Sequence, residues 1–469
     1  MPTKEEKTPL TKVEPSTVAP KKSLFTSPWF FVPALFGGFA VAYIAFTWII
    51  TFVHPSTPVP HTPINCDSVN QSSGYIQLGN SSTKYFHWYF ESRSDPTNDP
   101  LVLWVNGGPG ASSMIGLLSE NGPCSVQLDL SLEYNPHAWN SHANVIWLDQ
   151  PANTGFSVGP TPTPDIIGPN VYAFLQGFLA KHPSLRGRPL FLTGESYGGH
   201  YVPVIAHTIV KENAKKVQPH LNLQGLAIGN GLTNTKVQAQ HVLDQAIHNA
   251  YNVSLVPTTQ FTELNQSGNE AVRLLDACAS NASMCPAAGN AFVVFGQQLV
   301  ITHSLNKYDL RETCVGNSCN AIEDAVARFL NNPRVLAYLG LPPSFRYNIS
   351  NRDTFGSFTN DIATSYAPHV EAVLSANVSV LLYAGDADLA CNWQGNDAWP
   401  KQLAWPGAKA YVATELKSWT LDGIEVGQVR SHSLLTFVRV FNAGHMVPRQ
   451  QPVVALSLLT ALLRNQTLV

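Results

Sequence analysis

The sequence predicts an α/β fold in which one long insertion interrupts a central sheet. Short apolar runs with the character of buried strands recur along most of the chain. One run, within residues 188–210, leads into Gly194, Ser196 and Gly198 and then into an apolar stretch of helical character. The interval of about residues 235–357 lacks the spacing of a sheet and holds four cysteines, which indicates an insertion that caps the active site.

The segment around Ser196 has the spacing of a nucleophile elbow. In G-x-S-x-G the serine lies on a strained turn between a strand and a helix, where glycines on either side permit close backbone packing. The turn lifts the hydroxyl clear of the sheet, and the helix aims its N-terminus and the N–H of Tyr197 at an oxyanion formed beside Ser196. A G-x-S-x-G also arises by chance as an ordinary Gly-rich turn, but here a strand precedes it and a helix follows it. We therefore predict an α/β-hydrolase fold with Ser196 as the nucleophile.

Six apolar runs are predicted to form the central sheet, since each is short and rich in aliphatic or aromatic residues. They are residues 101–105, 144–148, 190–193, 223–228, 378–383 and 437–441.

In α/β-hydrolases the acid and the histidine follow the serine, each in a loop after a strand. His445 comes directly after the sixth run, whereas His432 precedes that run in a polar stretch and is interpreted as a surface residue. Asp386 and Asp388 both follow the fifth run. Spacing alone does not choose between them as the partner of His445.

Six motifs occur in the order found in serine carboxypeptidases. They are WVNGGPG, LDQPANTGFS, GESYGGHYVP, IGNGLT, YAGDADLACNW and FNAGHMVP. From residue 73 to the C-terminus the chain resembles this family, and within it the fungal carboxypeptidase Y group. The resemblance implies a peptidase that removes single C-terminal amino acids, works best in acid and passes through an acyl-enzyme on Ser196. It selects Asp388 as the triad acid and the N–H groups of Gly108 and Tyr197 as oxyanion donors.

The resemblance also implies how the terminal carboxylate of a substrate is recognised. The matching positions are Asn106, Gly107 and Glu195, with Trp104 and Glu120 in a supporting network. A glutamate donates to a carboxylate only when it is protonated, so burial or a second carboxyl must raise its pKa. Three further positions match residues that line the family's substrate pocket, namely Tyr308, Cys391 and Met446.

Seven cysteines leave one unpaired if the compartment is oxidising. Cys314 and Cys319 resemble a short-loop disulfide of the family, Cys278 and Cys285 are close enough for another, and Cys66 and Cys124 are plausible by elimination. Cys391 falls where the family keeps a free thiol. Ala111 departs from the usual GGPGC, so a disulfide that anchors that loop to the insertion is expected to be missing, which leaves the rigidity of the loop open.

Composition and motifs limit the classes of molecule that the protein is expected to bind. The net charge is -3, 13% of the residues are charged and the globular part has no basic cluster, which argues against nucleic acid. No C-x-x-C pair or H-E-x-x-H helix suggests a metal, and no cofactor is expected. The expected partners are the C-termini of peptides or proteins as substrates. The sequence leaves the oligomeric state open.

Residues 29–53 form an uncharged run of 25 residues, long enough to span a bilayer. They are predicted to be an uncleaved signal-anchor helix after a disordered cytosolic tail, residues 1–28, and before a stalk, residues 54–66. The lysines that precede the run and the absence of lysine and arginine from 54 to 83 orient the catalytic region, 67–469, toward the lumen. A single-pass type II protein of a vacuole-like or lysosome-like compartment is expected, with Golgi or cell surface left open. Eight sequons agree with a lumenal side: Asn70, Asn80, Asn252, Asn265, Asn281, Asn348, Asn377 and Asn465.

The sequence leaves two alternatives to a peptidase to consider. An acyltransferase on the same scaffold would use a bound alcohol in place of water, and the intact carboxylate-binding positions argue against it. A stabilising partner for another lumenal protein would be expected to have lost triad residues, whereas all three are present here.

Overall fold

A ten-stranded sheet organises the described part of the chain. With two short two-stranded sheets, the strands are β1 Gln71–Gln77, β2 Lys84–Phe90, β3 Leu101–Val105, β4 Cys124–Val126, β5 Leu132–Tyr134, β6 Asn144–Leu148, β7 Leu190–Glu195, β8 Leu223–Gly229, β9 Leu305–Asn306, β10 Asp309–Thr313, β11 Ser379–Gly385, β12 Lys417–Leu421, β13 Ile424–His432 and β14 Leu435–Val440. The order across the main sheet is β1-β2-β6-β3-β7-β8-β11-β14-β13-β12.

The computed structural model describes residues 64–256, 259–301, 305–314 and 319–468. The predicted tail, the predicted anchor at 29–53 and most of the predicted stalk lie outside these residues. Within the described ranges, no helix combines the length and the apolar character that a membrane span requires.

The centre of the main sheet is parallel and its margins are antiparallel. β6, β3, β7, β8, β11 and β14 pair in parallel, and they correspond to the six predicted runs with shifts of one or two residues at some ends. The outer strands β1, β2, β12 and β13 pair antiparallel and were not predicted. The α/β-hydrolase fold is thus confirmed, with a wider sheet than the sequence indicated.

Helices cover both faces of the sheet. They are α1 Met114–Ser119, α2 Ile167–Lys181, α3 Gly198–Lys215, α4 Thr235–Ala239, α5 Val242–Ile247, α6 Phe261–Ser280, α7 Cys285–Ile301, α8 Ala321–Leu330, α9 Pro333–Tyr338, α10 Arg352–Ser357, α11 Ala367–Ser375, α12 Trp393–Ala398, α13 Ala408–Ala413, α14 Val447–Gln450 and α15 Pro452–Leu463.

Alternate residues of β3 show how the two apolar layers form. Leu103 and Val105 belong to the core cluster that includes residues of α2 and α3, whereas Val102 and Trp104 belong to a second cluster with residues of α1, α8 and α15. Successive side chains of a strand point to opposite faces, and a strand buried on both faces therefore reads as a continuous apolar run.

The insertion lies between β8 and β11 and carries most of the smaller helices. α6 and α7 pack together within it, and the hairpin of β9 and β10 follows them. The structure forms the disulfides Cys278–Cys285 and Cys314–Cys319 in the insertion and Cys66–Cys124 near the start of the sheet, with Cα–Cα distances of 4.7, 4.4 and 5.4 Å. Cys391 is free and buried.

Candidate active site

Ser196 lies on a tight turn between β7 and α3. Its φ of 61° is in the left-handed region, which residues other than glycine seldom adopt. The Ser196 N–H donates to the carbonyl of Gly229 at 3.1 Å, and the Ser196 carbonyl accepts from the N–H of Leu232 at 2.8 Å. A Cβ at Gly194 would stand 2.9 Å from the carbonyl oxygen of Val105, so this position of the motif requires glycine. These hydrogen bonds and the close packing at Gly194 hold Ser196 in its strained conformation at the carboxyl end of β7.

A buried hydrogen bond joins His445 to Asp388. The two partner atoms, Nδ1 of His445 and Oδ2 of Asp388, are 2.7 Å apart. The same Oδ2 accepts from Asn230 Nδ2 at 2.8 Å and from the Cys391 N–H at 3.2 Å, while Oδ1 accepts from the Ala390 N–H at 2.9 Å. Four donors converge on one carboxylate, so its orientation is fixed. This geometry can set the tautomer and the direction of the His445 ring.

Asp386, the alternative acid, has different partners. It forms an ion pair with Arg439 at 3.2 Å and accepts from the Asn442 N–H at 3.1 Å and from the hydroxyl of Tyr251. These contacts tie the loop after β11 to β14 and to the insertion. The contacts of Asp386 are therefore those of a residue that stabilises the loop, and they do not include His445.

His432, the alternative histidine, lies at the opposite end of the parallel strands from His445. It is the last residue of β13 and pairs with Leu435, the first residue of β14, whereas His445 follows the end of β14. His432 is half-buried beside the ring of Trp405, so it is less exposed than the sequence interpretation stated.

The backbone segments next to the turn at Ser196 include Gly107, Gly108 and Tyr197. A Cβ on Gly107 would stand 2.3 Å from the nitrogen of Tyr197, so the absence of a side chain lets the two segments touch. Gly108 has a φ of 103°, which favours glycine. Within the described ranges, neither the Gly108 N–H nor the Tyr197 N–H is paired with an acceptor. Two such donors are what an oxyanion would require.

The loop that carries Gly108 is attached to the insertion even though Ala111 replaces the usual cysteine. Ala111 forms an antiparallel bridge with Ser350. The Ser112 N–H donates to the Ile349 carbonyl at 2.9 Å, and the Asn351 N–H donates to the Gly110 carbonyl at 3.0 Å. Backbone hydrogen bonds therefore supply an anchor at the place where the sequence left the rigidity of the loop open.

Asn106 connects two buried glutamates. Its Oδ1 accepts from Trp104 Nε1 at 2.7 Å and from the Gly116 N–H at 3.0 Å, which fixes the orientation of the amide. Its Nδ2 then faces Glu120 Oε1 at 3.2 Å and Glu195 Oε1 at 3.4 Å. The sequence-predicted network of Trp104, Asn106, Glu120 and Glu195 is thus brought together directly before Ser196.

The electrostatics of Glu195 follow from this arrangement. Burial raises the pKa of Glu195 well above its ordinary value, and the charge and hydrogen bond of the adjacent Glu120 raise it further. The nearby Glu120 therefore favours the protonated form of Glu195. Glu195 can therefore act as a hydrogen-bond donor in acid.

Tyr308, Cys391 and Met446 surround His445. The Tyr308 carbonyl accepts from the His445 N–H at 2.7 Å, and the two rings have centroids 4.9 Å apart. Met446 follows His445 in the chain and is half-buried. The Cys391 sulfur lies within 4.8 Å of ligand atoms of Asp388 and His445. Burial, followed by the charge of Asp388, raises the pKa of the Cys391 thiol.

Two further residues of the sequence motifs, Asn230 and Asp149, have hydrogen bonds that the motifs alone did not predict. Asn230, in IGNGLT, donates to Asp388, and its Oδ1 accepts from the Gly385 N–H at 3.1 Å. Asp149, in LDQPANTGFS, accepts from Ser112 Oγ at 2.6 Å and from the Phe156 N–H at 2.9 Å. The sequence signal that could have identified them is that each residue follows a strand, β8 or β6, at the carboxyl end of the parallel strands, where Ser196 also lies.

Comparisons with known proteins agree with this geometry. Residues 60–465 match the family described as serine carboxypeptidase. A vacuolar serine-type carboxypeptidase of Saccharomyces cerevisiae is 35% identical over 86% of this chain and 81% of its own length. Carboxypeptidase Y of Candida albicans is 36% identical over 84% of this chain and 73% of its own. The solved structure of Kex1, a prohormone-processing carboxypeptidase of Saccharomyces cerevisiae, is 26% identical with a TM-score of 0.77, covering 86% of this chain and 93% of that one.

Proposed function

The chain belongs to the serine carboxypeptidase family and is a serine-type carboxypeptidase, and we propose the residues by which it acts. Ser196 is the nucleophile, His445 is the general base and Asp388 orients His445. The N–H groups of Gly108 and Tyr197 stabilise the oxyanion. The hydrogen bond between His445 and Asp388 and the strained turn at Ser196 support these assignments.

The reaction takes two steps. His445 takes the proton of Ser196 as Oγ attacks the last peptide carbonyl, and the tetrahedral oxyanion forms against Gly108 and Tyr197. The C–N bond breaks as His445 returns the proton to the leaving amine, which frees the C-terminal amino acid. Water, activated by His445, then hydrolyses the acyl-enzyme and releases a peptide shortened by one residue.

Recognition of a free C-terminus is the part of the proposal that separates a carboxypeptidase from a general esterase. The observation that carries it is the buried cluster of Asn106, Glu195 and Glu120 immediately before Ser196. Asn106 and protonated Glu195 donate to the terminal carboxylate, and the backbone of Gly107 borders the same space. Glu195 keeps its proton only at pH values below its raised pKa. We therefore expect peptidase activity to be best in acid.

Mass spectrometry of peptide products from the purified chain tests this function. We expect successive loss of single residues from free C-termini, and no product from peptides treated with the Ser196→Ala variant. Removing the nucleophile leaves only oxyanion and substrate binding, which cannot form an acyl-enzyme. Internal cleavage, or turnover by Ser196→Ala near that of the wild type, would contradict the proposal.

The proposed setting is a lumenal compartment of the secretory pathway, with residues 29–53 as an uncleaved anchor. The three disulfides agree with an oxidising compartment. All eight sequon asparagines are exposed and so accessible to glycosylation. The name of the vacuolar relative in Saccharomyces cerevisiae favours a vacuole-like destination.

Carbonate extraction and endoglycosidase treatment test this topology. We expect the full-length chain to resist alkaline carbonate and to lose mass on deglycosylation, while a secreted chain that begins near Pro63 should be soluble. Release of the intact, uncleaved protein by carbonate would rule out the anchor.

A further inference from the structure

Asp149 is a buried carboxyl group that the reaction above does not use. It follows β6 directly and has no exposed surface. Within the described ranges it forms no ion pair, so hydrogen-bond donors alone compensate for its burial. A buried carboxylate is costly unless such donors surround it, and the segments that supply them are therefore held close to it.

The first of these segments carries the Gly108 N–H. Residues 106–113 connect β3 to α1, and we call them the oxyanion loop. At the end of this loop, Ser112 Oγ donates to Asp149 Oδ1 at 2.6 Å and the Ser113 N–H donates to the same oxygen at 2.9 Å. Asp149 therefore fixes the end of the oxyanion loop to the carboxyl end of β6.

Ser113 joins that end of the oxyanion loop to its beginning. Its Oγ accepts from the Asn106 N–H at 3.0 Å and donates to the Leu148 carbonyl at 2.5 Å. Between these two ends, the Ala111 N–H donates to the Gly107 carbonyl at 3.1 Å. Gly108 thus lies in a short closed loop, and both ends of that loop are hydrogen-bonded to residues of one strand end, Leu148 and Asp149.

Backbone also confines the other side of the Asp149 carboxyl group. Oδ2 accepts from the Phe156 N–H at 2.9 Å. A Cβ on Gly155 would stand 2.1 Å from the same oxygen, so the carboxyl group lies directly against this backbone. Asp149 has little room to shift, which makes it a firm support for the oxyanion loop.

We propose that Asp149 is a positioning residue that holds the Gly108 N–H where the oxyanion forms. The inference rests on the proposed function, in which Gly108 is an oxyanion donor. The oxyanion exists in the transition states of acylation and deacylation but not in the bound substrate. Displacing Gly108 should therefore lower kcat and leave KM nearly unchanged.

Steady-state kinetics on an uncharged ester measure this division between kcat and KM. Burial raises the pKa of Asp149 to about 6, so the assay is made above that pH, where the carboxylate is ionised. Asp149→Asn turns an amide N–H₂ toward one of the present donors. We expect kcat to fall about 10- to 100-fold, less than the loss of about 10²- to 10³-fold when an oxyanion donor is deleted, because Gly108 is displaced rather than removed.

Two further variants separate positioning from folding. Ser112→Ala removes one donor to Asp149 without altering the carboxyl group, and kcat should fall by at least about threefold. Asp67→Asn is the matched control, since Asp67 is also buried but accepts from Arg93 and Asn140, before β6. It should lower the midpoint of thermal unfolding and leave kcat near that of the wild type.

Binding measurements distinguish the oxyanion site from the substrate site. A peptide aldehyde adds to Ser196 Oγ and places its oxygen against Gly108 and Tyr197, so its inhibition constant should rise in Asp149→Asn by the factor by which kcat falls. The Kd of an uncleaved peptide, measured in the Ser196→Ala background, should not change when Asp149→Asn is added.

Three results would overturn the role of Asp149. They are an unchanged kcat in folded Asp149→Asn, an unchanged kcat in folded Ser112→Ala, and equal losses of affinity for the aldehyde and for the uncleaved peptide. Hydrolysis that persists in Ser196→Ala would instead contradict the proposed function itself.

Discussion

Two sets of carboxyl side chains lie near Ser196, Asp388 in one and Glu195 with Glu120 in the other. They differ in the number of hydrogen-bond donors around them. At Asp388, donors from Asn230, His445 and two backbone N–H groups converge on the two oxygens. At Glu195 and Glu120, the described residues supply one shared donor, Asn106 Nδ2, and each carboxyl keeps one oxygen without a partner there. At Glu195, burial, the charge of Glu120 and the small number of donors all favour the protonated form, whereas four donors fix the orientation of the Asp388 carboxylate.

The largest effect is expected from breaking the donor-rich cluster. Asp388→Asn should lower kcat about 10⁴-fold on peptides and esters alike, because an amide in that place favours the wrong tautomer of His445. Steady-state kinetics on both substrates would measure it. Asp386→Asn is the matched control and should cost far less, since Asp386 contacts Arg439 rather than His445. The reverse ranking would show that the wrong aspartate was assigned.

The carboxyl pair of Glu195 and Glu120 should make peptidase activity fall as the pH rises. Free-acid peptides should be cleaved more efficiently than their C-terminal amides in acid. Above the raised pKa of Glu195 the protonated fraction falls about tenfold per pH unit, and peptide kcat/KM should fall with it. Ester hydrolysis requires only the triad and should hold or improve as the pH rises. Superimposable pH profiles for peptide and ester would contradict carboxylate recognition by Glu195.

Removing the shared donor should have an intermediate effect. Asn106→Ala should weaken peptide turnover by roughly 1–3 kcal/mol, or about 5–150-fold, the usual cost of leaving buried polar groups unpaired. Uncharged esters should lose less, because they carry no terminal carboxylate. Equal losses in kcat/KM on both substrate types would indicate a general structural defect instead.

Removing one carboxyl of the pair should shift the profile without abolishing activity. Glu120→Gln keeps an acceptor for Asn106 Nδ2 but removes a charge that raises the pKa of Glu195. The pKa of Glu195 should then fall, so the loss of peptidase activity should begin at a lower pH. An unchanged midpoint of the peptide profile in Glu120→Gln would show that burial alone sets the charge state of Glu195.

The smallest effect is expected at Cys391. Its contact with Asp388 is made by the backbone N–H, which serine retains, so Cys391→Ser should cost less than about tenfold in kcat/KM. Bulky mercurials should inhibit the wild type by occupying the space beside His445 and should not inhibit this variant. Complete loss of turnover in a folded Cys391→Ser protein would mean that the thiol takes part in the reaction.

The centre of the sheet was predictable and its margins were not. β3 and β6 are buried along their whole length and read as short uninterrupted apolar runs. β12 and β13 carry polar residues on an exposed face and lack that signal. β2 is aromatic and almost wholly buried, so its sequence held a signal that the prediction did not use.

The nucleophile turn and the family motifs each consist of residues that are neighbours in the chain, so both could be predicted without a structure. A glycine, a serine and an adjoining helix form one local unit that the spacing of the motif reveals. The pairing of carboxyl oxygens with hydrogen-bond donors, in contrast, depends on contacts between distant parts of the chain. His445 lies 57 residues from Asp388, Asn230 lies 158 residues from it, and Asn106 lies 89 residues from Glu195. The charge state of each carboxyl depends on these distant partners and on burial, and neither is encoded in the spacing of a motif.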